Sequence, residues 1–254
     1  MLISRRQLIR TLYMGGQAAI AAELITVLGI FAFVFFSPNL VQATQTNSDL
    51  FEITQTMLDH FIENSVYYSL ASVLTILLPT LAMLVVVWAW HLYFAAHEVY
   101  LMNWVASSVG VIGATLLFAN FGISTWSFDL ASQALENGNI GLEHAFMGVA
   151  IAEGLQFIGV MALYIFYPVL LSIASWRDRL LPKWFVALAL ALTIINDLHF
   201  VTGATLDWVA IASQAIIVLW PFLMGVVLLL KARDLAQQDS RTASTPTKAI
   251  PPLH

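Results

Sequence analysis

The sequence predicts an all-α fold, a polytopic membrane helix bundle of six transmembrane helices with both termini cytoplasmic. Three observations carry that prediction. Of the 254 residues, 60% are hydrophobic and 10% charged, with a mean hydropathy of +0.84; a soluble domain has about 45–50% apolar and about 25% charged residues. Six apolar runs approach or exceed the about 20 residues that a bilayer-crossing helix needs. All ten Lys and Arg residues lie before the first run, between the fourth and fifth, or after the sixth.

The runs follow in order. Residues 17–37 form the first, ended by Pro38, and 66–90 the second. The third is 101–122, and 145–173 gives a long fourth that must tilt or protrude. The fifth, 184–203, and the sixth, 208–230, are separated by only a few residues. Between the first two, Leu50, Ile53, Met57 and Phe61 recur at helical spacing, which predicts a surface helix in the outer loop 38–65. The loop 123–144 carries Trp126, Phe128, Leu130 and the turn-like Asn137-Gly138-Asn139. Residues 1–234 form the membrane domain on this reading, and 235–254 a disordered cytoplasmic tail rich in polar residues.

Cations set the orientation. Arg5, Arg6 and Arg10 precede the first run; Arg177, Arg179 and Lys183 separate the fourth from the fifth; Lys231, Arg233, Arg241 and Lys248 follow the sixth. Six crossings put all of them on one side, and the positive-inside rule makes that side cytoplasmic in a plasma (inner) membrane. An odd number would break the segregation. The opening SRRQLIR also has the look of a twin-arginine export signal, but Glu23 makes a poor signal core, so an uncleaved anchor is expected.

Ionisable groups at membrane depth cost about 2.5–3.5 kcal/mol at the helix centre on insertion scales, so they hold most of the functional information. In an outer layer stand Glu143 and His144 at the mouth of the fourth span, Glu153 and Gln156 deeper in it, Asn196, Asp197 and His199 in the fifth, and Gln214 in the sixth. Glu153 and Gln156, three apart, share a helix face. Asp197 and His199 diverge by about 200° on a regular helix. A structural strut between helices and a polar ligand site both account for Glu153 and Asp197. An inner layer holds Glu23, His91, His97, Glu98 and Asn103; the histidines lie among aromatics and read as headgroup-level residues. Tyr68, Ser72, Thr75 and Pro79 form one stripe of the second span, and Pro221 interrupts the sixth. Gly148, Gly154 and Gly159 are expected to permit close packing.

Several chemistries are excluded. The absence of cysteine removes disulfides, Cys-ligated zinc, iron–sulfur clusters and thiol nucleophiles. No zincin, nucleophile-elbow, phosphate-loop or dinucleotide motif occurs where it would be needed. Lys183, Lys231 and Lys248 all lie outside the apolar runs, so no retinal Schiff base can form mid-membrane. The net charge of −5 argues against a nucleic-acid partner.

The stretch SWRDRLLPKWFVALALALTI (175–194), with Leu181-Pro182-Lys183-Trp184 at its centre, and the ending LWPFLMGVVLLLKARD (219–234) resemble an uncharacterised family of six-helix bacterial integral membrane proteins with a basic LPxW cytoplasmic loop. The resemblance implies six helices and a plasma-membrane location, and supplies no activity or catalytic residues. The expected function is that of a multi-pass inner-membrane protein, an accessory subunit or small-ligand binder whose polar site comprises Glu153, Gln156, Asn196, Asp197, His199 and Gln214. Its partners are the lipid bilayer and other membrane subunits, and the sequence names no cofactor. One alternative is a membrane-embedded metal or haem oxidoreductase using His144, Glu153, Asp197 and His199; a second is a small transporter.

Overall fold

The computed structural model describes residues 4–36, 65–136, 141–176, 178–202 and 207–244, and among them it is helical with no strand. Helix α1 is Arg5–Phe36. Helix α2 (Ser65–Ser72) runs through a π-helical turn, Val73–Leu77, into α3 (Leu78–Ala96). Helix α4 is Leu101–Glu136. Helix α5 (Leu142–Val160) runs through a second π turn, Met161–Phe166, into α6 (Tyr167–Ser175). Helices α7 (Lys183–Thr202) and α8 (Asp207–Ser244) complete the chain.

Among the described residues four segments are long and apolar enough to cross a membrane: Arg5–Phe31, Ser69–Ala96, Leu101–Ala134 and Leu142–Ser175. They coincide with the first four expected runs. Helices α7 and α8 occupy the fifth and sixth. The expected surface helix in 38–65 and the turn at Asn137-Gly138-Asn139 lie outside the described residues.

Local sequence explains the ends. The export-like SRRQ forms a capping box: the Gln7 amide donates to Ser4 Oγ at 3.3 Å, and the Ser4 amide donates to Gln7 Oε1 at 3.1 Å. Helix α3 ends in a Schellman turn, in which Val99 N–H donates to Phe94 O and Glu98 N–H to Ala95 O, both at 3.1 Å. Glu98 takes the left-handed position at φ 61°, where glycine is usual. Both π turns precede a proline, Pro79 and Pro168. A proline ring crowds the carbonyl four residues back, and the wider turn, closed by Leu78 N–H to Val73 O and Tyr167 N–H to Ala162 O, accommodates it.

Two stretches differ from expectation. Residues 123–136, expected as loop, continue α4, because Ala131 and Ala145 are fully buried in a small cluster with Phe128, Leu130, Leu142 and Phe146. Residues 235–244, expected to be disordered, continue α8. There Arg5 donates from Nη2 to Leu235 O at 3.2 Å and Gln238 Oε1 at 3.1 Å, and its Nε stands 3.7 Å from Asp239. Residues 245–254 lie outside the described residues.

The core centres on Trp90, Phe94, Tyr167, Phe185, Trp220 and Met224, all fully buried. Phe185 and Trp220 pack with ring centroids 4.7 Å apart, joining α7 to α8. Glycines let backbones approach. A Cβ at Gly225 would come within 2.8 Å of both Gly16 O and Ala19 Cβ, and one at Gly113 within 2.8 Å of Leu163 N and 3.0 Å of Gly159 O. Gly148 packs against Ser127 and Gly159 against α4, whereas Gly154 faces open space.

These contacts fix an antiparallel register. Gly15 meets Ala89 and Gly29 meets Thr75, so α1 runs against α3; Arg5 meets Leu235 and Gly16 meets Gly225, so α1 runs against α8. Gly110 meets Val87 while Ser107 meets His91, and Gly110 meets Tyr167 while Gly113 meets Leu163, so α4 runs against α3 and against the π turn and α6. Arg5, the α3–α4 turn, the end of α6 and the Lys231–Asp239 stretch of α8 therefore share one end of the bundle, the basic end.

Candidate functional site

Position along α1 is what buries Glu23. It follows Gly16 by seven residues, two helical turns, and so projects from the face that packs on α8. Continuing the α1–α8 register brings it level with Pro221, and the α1–α3 register brings it close to the level of Pro79. Glu23 is 8% exposed, and among the described residues its Oε1 is buried without a hydrogen-bond partner. The phenol of Tyr164, on the second π turn, lies within electrostatic range of this carboxyl. The acidic group thus stands at about the level of two helix-interrupting prolines, Pro79 and Pro221.

A buried polar atom without a partner costs about 1–3 kcal/mol, more for a charged group. The arrangement calls for a proton, a cation or a hydrogen-bond donor at Oε1. Among the described residues the other buried polar atoms without a partner are Asn120 Nδ2, Trp90 Nε1, Trp220 Nε1 and the Tyr167 hydroxyl. Of these five side chains only Glu23 is acidic.

A second polar cluster lies near the basic end. His91 Nδ1 and Ser107 Oγ are 2.9 Å apart, Asn103 Nδ2 donates to His91 O at 2.9 Å, and Ser107 Oγ donates to Asn103 Oδ1 at 3.4 Å. The His91 ring is stacked on Trp88 and meets the edge of Trp104. Asn103 and Ser107 are buried. Its members satisfy one another, so the cluster ties α3 to α4 without calling for a ligand.

The residues expected to form the outer site are placed as follows. Glu153 and Gln156 are both exposed on α5, among the exposed apolar side chains Ile151, Phe157 and Ile158. His144 is exposed in the first turn of the same helix. Nine residues separate it from Glu153, about 13 Å along the axis, so one metal ion does not take both. Asn196, Asp197 and His199 lie on α7 and Gln214 on α8, and their side chains fall outside the described set. Among the described residues no group of three or more His, Asp or Glu side chains is placed to hold a metal ion. Of the stripe in the second span, Pro79 is buried and Ser72 and Thr75 are half-buried.

The sequence registers Glu23 as an ionisable residue inside an apolar run, and that was the available signal. Its burial comes from α1 packing between α3 and α8, a long-range pairing that spacing along the chain does not display.

The chain matches no known family model, no curated protein and no solved structure.

Proposed function

We propose that the protein is a six-crossing bacterial inner-membrane protein, kin to the six-helix family with the LPxW loop, with both termini in the cytoplasm, and that its bundle binds a small ligand at Glu23. The observation that carries this reading is the 8%-exposed carboxyl with an unpartnered oxygen inside an apolar span. Intramembrane carboxyls mark ligand or ion positions because the bilayer offers them no other partner. The ligand class follows from the chemistry of the group: a small monovalent cation or a protonated amine, which supplies positive charge and donors to Oε1. The aligned segregation of cations at one end favours six crossings and a cytoplasmic basic end.

The purified full chain tests this. Sodium, lithium, methylammonium and guanidinium ions are titrated while thermal unfolding is followed. At least one should raise the midpoint saturably, because a ligand at one hundred times its Kd stabilises by about 2.7 kcal/mol. Glu23→Gln should abolish the rise. A rise that persists in the variant, or no rise with any of the four, refutes the reading.

A second reading, an accessory subunit, is favoured by Glu153 and Gln156 on the exposed face of α5. Hydrocarbon leaves them unpartnered, and a helix of another subunit packed there supplies what lipid does not.

A further inference from the structure

The short loop that follows α6 brings Arg179 beside the first turns of α7, which begins at Lys183. A cleft of about 420 Å³ opens between the loop and the helix, lined by Trp176, Arg179, Leu181, Lys183, Val186 and Leu190 among others. Its chemistry is divided along its length. Arg179 and Lys183 are exposed at its mouth, and among the described residues neither has a hydrogen-bond or ion-pair partner. Asp178, exposed beside Arg179, forms no ion pair with either. Val186, Ala187 and Leu190 continue the floor along one face of α7, so the floor extends about 10 Å from Lys183 toward the middle of the helix. Leu181 is buried beneath it, and Trp176 is 71% exposed at the rim. Arg179 holds a left-handed backbone, φ 52°, which a non-glycine residue adopts at a cost, and so the loop turns sharply at the cation.

We propose that this cleft binds an anionic phospholipid, its phosphate at Arg179 and Lys183 and an acyl chain along Val186, Ala187 and Leu190. Charge complementarity selects that occupant. A soluble anion would use the cations and leave the apolar floor wet, and a zwitterionic lipid would bring a positive group against them. The cleft also lies at the basic end, where a bilayer places headgroups and where basic pockets between helices take anionic headgroups. The exposed rings of Trp176 and Trp184 suit the same depth. The proposal rests on the membrane reading and is independent of Glu23.

The full chain, purified in detergent, is titrated with phosphatidylglycerol, with phosphatidylcholine of the same acyl chains and with inorganic phosphate, and bound lipid is counted by native mass spectrometry. Phosphatidylglycerol should bind at least about ten-fold tighter than phosphatidylcholine, and each cation removed should weaken it about five-fold. Arg179→Gln with Lys183→Gln should therefore bring the two lipids close to equal. Ala187→Phe, which fills the floor while keeping both charges, should weaken both lipids. All three positions are exposed, so lipid-free unfolding temperatures should stay near that of the wild type. Needing no substitution, the wild type should retain phosphatidylglycerol from an equimolar mixture of the two lipids. Equal retention, or undiminished selectivity in the double variant, overturns the proposal. So does inorganic phosphate displacing phosphatidylglycerol at equal concentration, which would make the cleft a site for a soluble anion.

Discussion

Gly225→Ala and Gly154→Ala are the same chemical change in two long apolar helices, and the structure assigns them opposite outcomes. At Gly225 an added Cβ would stand 2.8 Å from Ala19 Cβ and 2.8 Å from Gly16 O, neither of which can swing aside. Ordinary contact begins at 3.4 Å, so α1 and α8 must part by roughly half an ångström, and a gap of that size forfeits about a quarter of the dispersion energy of each contact along the seam. Overpacking of this kind costs about 1–3 kcal/mol. At Gly154 nothing lies within 4 Å of the added atom. Both variants gain the same helix-propensity term, about 1 kcal/mol, which cancels on comparing them. The difference between the two should therefore be the overpacking cost alone, with Gly154→Ala at or above wild-type stability and Gly225→Ala about 1–3 kcal/mol below Gly154→Ala. Unfolding in mixed micelles, followed by the fluorescence of the eight tryptophans, reads both. Equal stabilities would refute the close approach of α1 and α8, and with it the register that buries Glu23.

Glu153→Leu should fold and gain stability in the isolated chain, by up to about 3 kcal/mol where the carboxylate meets hydrocarbon; a loss of stability on reversible unfolding would show that Glu153 is bonded inside the bundle. Glu98→Gly relieves the left-handed residue of the Schellman turn and should stabilise by about 0.5–1 kcal/mol, measured the same way; destabilisation would contradict the φ of 61°. Because the chain has no cysteine, single cysteines report topology cleanly. One at Asn137 should react with an impermeant thiol reagent on intact cells, and one at exposed Asp178 only after permeabilisation. Labelling of Asp178→Cys alone would reverse the orientation.

Hydropathy made the membrane class and the first four spans legible, because it reports transfer into hydrocarbon directly. It does not report where helices end. Residues 123–136 lose apolar character, yet Ala131 still finds Ala145 across the α4–α5 hairpin, and helix continues wherever such a partner exists. The same holds after Asp234, where the partner is Arg5, more than two hundred residues away. The π turns had a local signal in Pro79 and Pro168, since a proline inside an apolar run must disturb the turn before it. The outer polar residues were legible as costly but not as to direction. Glu153 and Gln156 share a face by spacing, and spacing alone does not say whether that face turns inward.

Glu23 illustrates how an unsatisfied group is kept in place. Its own bonding does not hold it in the interior, since among the described residues Oε1 has no partner. Apolar packing on either side of it sets its direction. Toward the basic end, Gly15 and Gly16 lock α1 against Ala89 and Gly225; farther along, Gly29 locks it against Leu74 and Thr75. Between two such contacts α1 cannot rotate to release the carboxyl without opening one of them, and each opening forfeits the dispersion contacts along that seam. On the proposed ligand-binding reading, stability and ligand affinity therefore separate at this position. Substituting the glycines changes the orientation of the site together with the fold, whereas Glu23→Gln keeps the shape, removes the charge and leaves the helix contacts intact. If the proposed ligand binds there, a polar group held ready in this way spends little of the binding energy on being ordered.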